Sequence, residues 1–233
     1  NRGYPPSFLR AINLMPNDGP NVRSAEAQIA PFVERYLKDV NDEIARAGNK
    51  VAPKTKIHIV AHSMGSVSSR WYIAKLRPER VSVWISIAGP NHGSNPNCPA
   101  LPRSSKADLC PAFARSAQES FVQYHLNGAP NSDVDETPYG IGEDSPGKRR
   151  VPADKDRRVL YITLRTENDQ FIVPNDSSVL DGAGGIDLRL PRSLPVTETT
   201  PGNFVTVRRV SHDWLTYTDY VIEFVYRVLD RPG

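Results

Sequence analysis

Residues 57–66 read IHIVAHSMGS, and the order of apolar and small residues in this stretch is typical of a strand that turns sharply into a helix. An apolar run typical of a buried strand leads into Ser63, and the chain then becomes small and polar, as at the start of a helix. A sharp strand-to-helix turn of this kind exposes the serine hydroxyl above the sheet. Such a turn requires small neighbours, and Ala61 and Gly65 stand two residues before and after the serine. We interpret Ser63 as a nucleophile, with a structural serine as the alternative.

Strand and helix patterns alternate along the rest of the chain. The predicted strands are 7–15, 56–63, 81–89, 158–166 and 203–210. An apolar stripe from Ile29 to Ile44 predicts a helix that stops at Gly48, with Pro31 in its first turn or at a break. Further helices are predicted at 64–76, 112–126 and 213–229. This alternation predicts one α/β domain over 1–233 with a mostly parallel sheet. A Pro-, Asn-, Asp- and Ser-rich excursion at about 95–157 is either a lid or binding loop, or a surface insertion.

Composition narrows the class of protein. The 233 residues carry a formal net charge of only +3 with both signs well mixed, so we expect no nucleic-acid partner. No apolar run approaches the ~18 residues of a membrane span, and no signal-peptide pattern opens the chain, which begins at Asn1 as if processed or trimmed. The His and Cys spacings predict no metal site, and no motif predicts a cofactor.

Two cysteines lie close together in a proline-rich loop. Cys98 and Cys110 are the full complement of this residue type. A local even count favours a disulfide and an oxidising compartment, and two free thiols are the alternative.

A nucleophilic serine requires a histidine base, and the chain offers five candidates. In hydrolases whose serine lies at a turn of this kind, the catalytic residues occur along the chain in the order serine, acid, histidine. His212, after the last predicted strand, fits that order. His58 is expected to be structural, His62 to point to the opposite face, His92 to line the site and His125 to lie on the excursion helix.

The acid that orients the base should follow the strand at 158–166. Asp169 is preferred, and Glu167, Asp176 and Asp181 are the alternatives. The backbone N–H of Met64, at the predicted start of a helix, is a candidate donor to an oxyanion.

Four segments in this order resemble the small bacterial α/β-hydrolase lipases, particularly the Bacillus lipase A type. They are VAHSMG (60–65), AGPNHGS (88–94), DQFIVP followed by LDGA (169–183) and VSHDWL (210–215). The resemblance implies a three-layer α/β/α hydrolase fold and cofactor-free hydrolysis of carboxylic esters. It implies Ser63 as nucleophile, Asp169 as acid, His212 as base and the Met64 N–H as an oxyanion donor. Asp181 corresponds to an aspartate that is not catalytic in those enzymes.

Two departures from that family bear on function. A strand that ends in His-Gly, whose loop supplies the second oxyanion donor, has no counterpart before Ser63, so we expect the domain to lack its N-terminal strand and helix here. The excursion at 95–157 is much longer than in the minimal enzymes.

Three functions are therefore open. The first is a secreted lipase or esterase that acts on a small-molecule or lipid ester. The second is an extracellular depolymerase of a polyhydroxyalkanoate or an aromatic polyester, because extracellular polyhydroxyalkanoate depolymerases are also similar to these lipases. The third is a catalytically inactive hydrolase fold used for binding.

Overall fold

The computed structural model describes residues 4–48, 50–99, 104–128, 159–180 and 188–230. Its centre is a five-stranded sheet in the order β1-β2-β3-β5-β4. The strands are β1 (Ile57–His62), β2 (Val81–Ile87), β3 (Leu160–Thr166), β4 (Val196–Thr200) and β5 (Asn203–Thr206). All neighbouring pairs are parallel except β4 with β5. The predicted α/β class and mostly parallel sheet are confirmed.

Helices precede and follow these strands. They are α1 (Asn21–Ser24), α2 (Ala30–Arg46), α3 (Met64–Trp71), α4 (Ser105–Asp108), α5 (Phe121–Asn127) and α6 (Asp219–Leu229). A π-helical turn, Ala25–Ile29, joins α1 to α2, and a second one, Tyr72–Leu76, extends α3. None of the helices in these described ranges is long and apolar enough to cross a membrane.

The helical segment that contains Pro31 begins with α1 at Asn21, before the apolar stripe that starts at Ile29. Pro31 is the second residue of α2, directly after the π-helical turn, so the missing proline N–H falls where the helical hydrogen-bond pattern already changes. At the other end the helix stops before Gly48, as predicted. Gly48 adopts a φ of +68° and its N–H donates to the Ala45 carbonyl at 3.1 Å.

Two apolar clusters lie on opposite faces of the sheet. Trp84 of β2 packs with α2 and α3, whereas its neighbours Val83 and Ile85 pack with α6. Successive side chains of a strand point to opposite faces, so the helices cover both faces of the sheet. This arrangement explains why β2 is apolar almost throughout.

The predicted strand at 7–15 is wrong. Pro6–Phe8 forms a 3₁₀ turn, and the following residues have no regular structure. The segment is attached to the first helices through side chains instead of a strand ladder. Tyr36 donates its hydroxyl to the Phe8 carbonyl at 2.7 Å, and the Gln28 amide bonds both the N–H and the carbonyl of Met15.

Two further predictions need correction. β4 was not predicted, and the strand expected at 203–210 is the shorter β5, paired with β4 through a turn at Gly202. The helix expected over 213–229 is divided into a 3₁₀ helix, Asp213–Tyr217, and α6, because Thr218 adopts an extended conformation.

The excursion contains the predicted disulfide. Cys98 and Cys110 are bonded, with their Cα atoms 5.4 Å apart. Within the predicted helix at 112–126, α5 begins only at Phe121, where the Ser120 hydroxyl accepts a capping hydrogen bond from the Gln123 N–H. Residues 129–158 lie outside the described part of the chain, so the excursion's role stays a prediction.

Candidate active site

Ser63 lies at a sharp turn between β1 and α3. Its backbone has φ 53° and ψ −133°, a region that residues other than glycine rarely adopt and that costs on the order of 1–3 kcal/mol. Its N–H donates to the carbonyl of Ile87 at the end of β2, at 2.9 Å. The strained residue is thus held by the sheet on one side and by the helix that follows it.

The start of α3 places hydrogen-bond donors next to this serine. Met64 is the first residue of the helix, so its N–H is one of those that an α-helix leaves without an intrahelical partner. Among the described residues, the Ser63 side chain makes no capping hydrogen bond to α3. Ser63 and Met64 both line a groove along β1.

The sequence interpretation of the small residues is wrong for Gly65. A Cβ built on Gly65 meets no atom of the described residues within 4 Å. The close approach is at Gly89, just after β2, where an added Cβ would overlap the Ser86 Oγ and lie 2.6 Å from the Cβ of Ser66. Gly89, which the sequence did not single out, is the glycine that lets α3 lie against the end of β2.

We expect Gly89→Ala to lower the free energy of unfolding by on the order of 1–3 kcal/mol, because the added methyl overpacks a buried contact. Gly65→Ala is the matched control and should change it by less than about 0.5 kcal/mol. Urea unfolding of both variants measures the difference. A larger loss for Gly65→Ala than for Gly89→Ala would contradict this assignment.

Asp169 and His212 form a buried pair. The Nδ1 atom of His212 lies 2.8 Å from Oδ2 of Asp169, and the two side chains are 4% and 2% exposed. The second carboxylate oxygen, Oδ1, accepts hydrogen bonds from the N–H groups of Phe171 and Ile172 at 2.9 Å each. Both oxygens are thereby occupied, which fixes the carboxylate and directs the Nε2 atom of His212 away from it.

The two residues come from loops at the carboxyl ends of β3 and β5. Asp169 follows β3, and His212 immediately precedes the 3₁₀ helix at Asp213–Tyr217. Thr166, the last residue of β3, donates its hydroxyl to the Val210 carbonyl at 2.8 Å and so connects the two loops. The Phe171 ring packs edge-to-face on the His212 imidazole, with ring centroids 5.2 Å apart.

The loop after β2 supports the acid. The Ser94 hydroxyl donates to the Phe171 carbonyl and accepts from the Val173 N–H, and the Asn95 N–H donates to the Val173 carbonyl at 2.8 Å. Ser94 is fully buried and was not identified as a site residue from the sequence, although it lies in the AGPNHGS segment. Its role is to hold the residues that directly follow Asp169.

The other candidate acids lie elsewhere. Glu167 and Asp176 are exposed to solvent, and the structure assigns neither of them to His212. Asp181 lies outside the described residues.

Three of the remaining histidines have partners away from this pair. His58 bonds the Ser82 hydroxyl, His92 bonds the Ser177 carbonyl, and His125 packs among the rings of Phe121, Tyr124 and Trp71. His92, expected to line the site, is instead buried and stacked on Phe113, with centroids 4.8 Å apart.

The sequence suggested that His62 points away from the site, but its side chain lies against His212. Its ring lies 4.7 Å from that of His212, and its Nε2 atom is 3.2 Å from the His212 carbonyl oxygen. The prediction assumed that alternation along the strand continues through Ser63. The positive φ of Ser63 breaks that alternation, so the side chains on either side of the turn need not diverge.

The acid–base behaviour of His62 follows from this position. Burial, and then the charge of His212, lower the pKa of His62, while its hydrogen bond to His212 and the carboxylates of Asp213 and Asp169 oppose the shift. The unfolded chain therefore binds a proton at higher pH than the folded chain, so the free energy of unfolding decreases as pH falls through the ordinary histidine range.

We expect His62→Gln, which cannot be protonated there, to lose less free energy of unfolding than the wild type between roughly pH 7.5 and pH 5, on either side of the ordinary histidine pKa. Urea titrations at the two pH values measure both losses. Equal losses would show that the surroundings of His62 do not disfavour its protonation.

A groove of about 710 Å³ lies along the outer edge of β1 and reaches Ser63. It is lined by Ile12, Asn13, Leu14, Met15, Asn17, Ile59, Val60, Ala61, His62, Ser63, Met64, Gly65 and Ser69. Five of these thirteen lining residues are polar, so the wall mixes polar and apolar side chains in similar measure.

Within the described ranges, no group of three or more His, Cys, Asp or Glu side chains is placed to hold a metal ion.

No protein-family model matches this chain, and no curated protein matches it. Among solved structures it is similar to a serine hydrolase from the polyaromatic-hydrocarbon-degrading bacterium Cycloclasticus zankles, with 12% identity and a TM-score of 0.31. The similarity covers 96% of this chain and 74% of that one. A similarity at this level assigns neither a family nor a function to the chain.

Proposed function

We propose that this protein is a serine carboxylic ester hydrolase with Ser63 as nucleophile, His212 as base and Asp169 as the acid that orients it. The observation that carries the proposal is the buried Asp169–His212 pair at 2.8 Å, linked through the contact of His62 with His212 to a serine in a strained turn at a helix N-terminus. A strained serine and a fixed imidazole are parts that acyl transfer requires.

The reaction proceeds in two balanced steps. The Ser63 Oγ attacks the ester carbonyl carbon, and its proton passes to Nε2 of His212, which then delivers it to the departing alcohol oxygen. A water molecule next attacks the acyl-enzyme carbonyl and gives its proton to His212. The carboxylic acid leaves, and the proton returns to Ser63.

Two groups stabilise the charges that develop. Asp169 holds the Nδ1–H of His212 and stabilises the imidazolium. The Met64 N–H donates to the oxyanion of the tetrahedral intermediate, where the positive end of α3 adds to the effect.

The wider predictions belong to the same proposal. We propose that residues 1–233 belong to a single domain of the three-layer α/β/α hydrolase fold, with helices on both faces of the sheet as support. The Cys98–Cys110 disulfide supports secretion into an oxidising compartment. No step of the mechanism requires a cofactor.

A polyester substrate is the second candidate. Trp214 and Tyr217, on the 3₁₀ helix that follows His212, are 66% and 74% exposed, and Phe171 is 51% exposed. Exposed aromatic rings beside the base favour an extended or solid apolar substrate over a small soluble one.

Parallel assays separate these candidates. The protein is incubated with a p-nitrophenyl ester, an emulsified triacylglycerol and films of a polyhydroxyalkanoate and an aromatic polyester, and the released acid is titrated. The proposal predicts hydrolysis of at least the p-nitrophenyl ester. Release of acid from film without release from the emulsion would assign a depolymerase, and no hydrolysis of any ester would contradict the proposal.

A further inference from the structure

A hydrogen bond joins the strand that ends at the nucleophile to the loop that carries the base. His62, the last residue of β1, places its Nε2 atom 3.2 Å from the backbone carbonyl oxygen of His212, 150 residues away in sequence. The two imidazole rings also touch, with centroids 4.7 Å apart and planes inclined at 45°. His62 thus contacts both the backbone and the ring of His212.

His212 depends on such contacts because it lies outside the sheet and the α-helices. Its ring is held by Asp169 on one side and by Phe171 on another. Its backbone N–H has a long contact, 3.4 Å, to the Gln170 side chain. The bond from His62 to the carbonyl is shorter and comes from a residue covalently attached to Ser63.

We propose that His62 is a positioning residue for the base, which sets the separation between the His212 imidazole and the Ser63 hydroxyl by binding the His212 carbonyl. This inference rests on the proposed function. The bond requires a proton on Nε2 of His62, which leaves Nδ1 of that ring as its acceptor.

The charge state of His62 is consistent with this role. His212, Asp213 and Asp169 are the titratable groups that face His62, and burial together with the charge of His212 lowers its pKa. His62 is therefore neutral at neutral pH, and it keeps one ring N–H for the carbonyl. A second imidazolium would repel the His212 imidazolium that forms during the reaction.

Four substitutions separate the hydrogen bond from the packing. His62→Gln places an amide nitrogen where Nε2 was, so it keeps the donor. His62→Phe keeps the ring and removes the donor, and His62→Asn carries an amide too short to reach the carbonyl. His58→Gln is the matched control, since His58 lies on the same strand four residues earlier and bonds Ser82 instead.

Two readouts are measured for each variant: kcat and KM for a p-nitrophenyl ester, and the low-field NMR signal of the proton between His212 and Asp169. We expect His62→Phe and His62→Asn to lose roughly 10- to 100-fold in kcat with little change in KM, because the base is displaced from the serine. In both variants the low-field signal should weaken or shift. His62→Gln should keep most of kcat and the signal, and His58→Gln should match the wild type.

Each outcome decides the inference. It is overturned if His62→Phe or His62→Asn keeps both kcat and the low-field signal, or if His62→Gln loses as much as they do. Either His62→Phe or His62→Asn suffices if the other does not fold. The protein could show a low-field signal that depends on His62 and yet hydrolyse no ester. That result would support the positioning contact and contradict the proposed function.

Discussion

Ser63→Ala is expected to lower kcat for ester hydrolysis by roughly 10⁵- to 10⁶-fold, because it removes the atom that forms the acyl-enzyme. Among the described residues the Ser63 side chain does not cap α3, so its loss should leave the helix and the free energy of unfolding nearly unchanged. Initial rates with a p-nitrophenyl ester, together with a urea unfolding curve, measure both quantities.

Ser82→Ala is the matched control for this substitution. Ser82 lies near the start of β2, at the end of the strands opposite to the end that carries Ser63. Its hydroxyl bonds the Ile57 carbonyl and His58. Its replacement should leave kcat unchanged. Wild-type activity in Ser63→Ala would exclude an acyl-enzyme at this serine.

Asp169→Asn should lower kcat by about 10⁴-fold, since it reverses the tautomer of His212. The N–H groups of Phe171 and Ile172 require an oxygen at the Oδ1 position, so the new amide must turn its NH₂ group toward His212. Nδ1 then accepts a hydrogen bond, the proton moves to Nε2, and the imidazole can no longer take a proton from Ser63. The pH dependence of kcat, compared with the wild type, tests this.

Asp176→Asn is the control, because Asp176 is an exposed carboxylate of the same loop. The same chemical change there should leave kcat unaltered. If Asp176→Asn is as damaging as Asp169→Asn, the acid has been assigned to the wrong residue.

The features best predicted from the sequence are those that depend on local patterns. The apolar run of β2 identifies a buried parallel strand because both faces of the sheet are covered there. The apolar run of β1 also marks a strand, but β1 lies at the edge of the described sheet and is mostly not buried, with Val60 46% exposed. The change from apolar to small and polar residues after His62 marks the turn into α3. The order of serine, acid and histidine selected His212 and limited the acid to residues after β3. Of those candidates, the preferred Asp169 is the one that the structure brings to 2.8 Å from His212.

Edge elements were missed because they carry weak patterns. β4 has a single buried residue, Val196, and its other residues are exposed, so its sequence reads as a polar loop. Conversely, the apolar residues at 7–15 suggested a strand but lie along the groove and the first helices. Apolar composition does not by itself distinguish a buried strand from an irregular segment, and in this segment Leu9 is 56% and Met15 is 67% exposed.

Apart from the Asp169–His212 pair, several contacts between distant segments were not predicted. Gly89 meets Ser66 of α3, Ser94 holds the loop after Asp169, and His62 touches His212. Each contact depends on how two separate segments pack near the carboxyl ends of the strands. The error over Gly65 has the same origin, because the spacing around Ser63 shows a need for small residues but does not show which neighbours approach.

A fluorophosphonate probe reports directly on whether Ser63 is an activated nucleophile, because it forms a covalent adduct with a serine that an adjacent base has activated. The probe is incubated with the wild type, His212→Ala and Ser82→Ala, and tryptic peptides are mapped by mass spectrometry. We expect one adduct, on Ser63, in the wild type and in Ser82→Ala, and none in His212→Ala. A wild-type protein that is folded but unlabelled at Ser63 would contradict it and favour a hydrolase fold used only for binding.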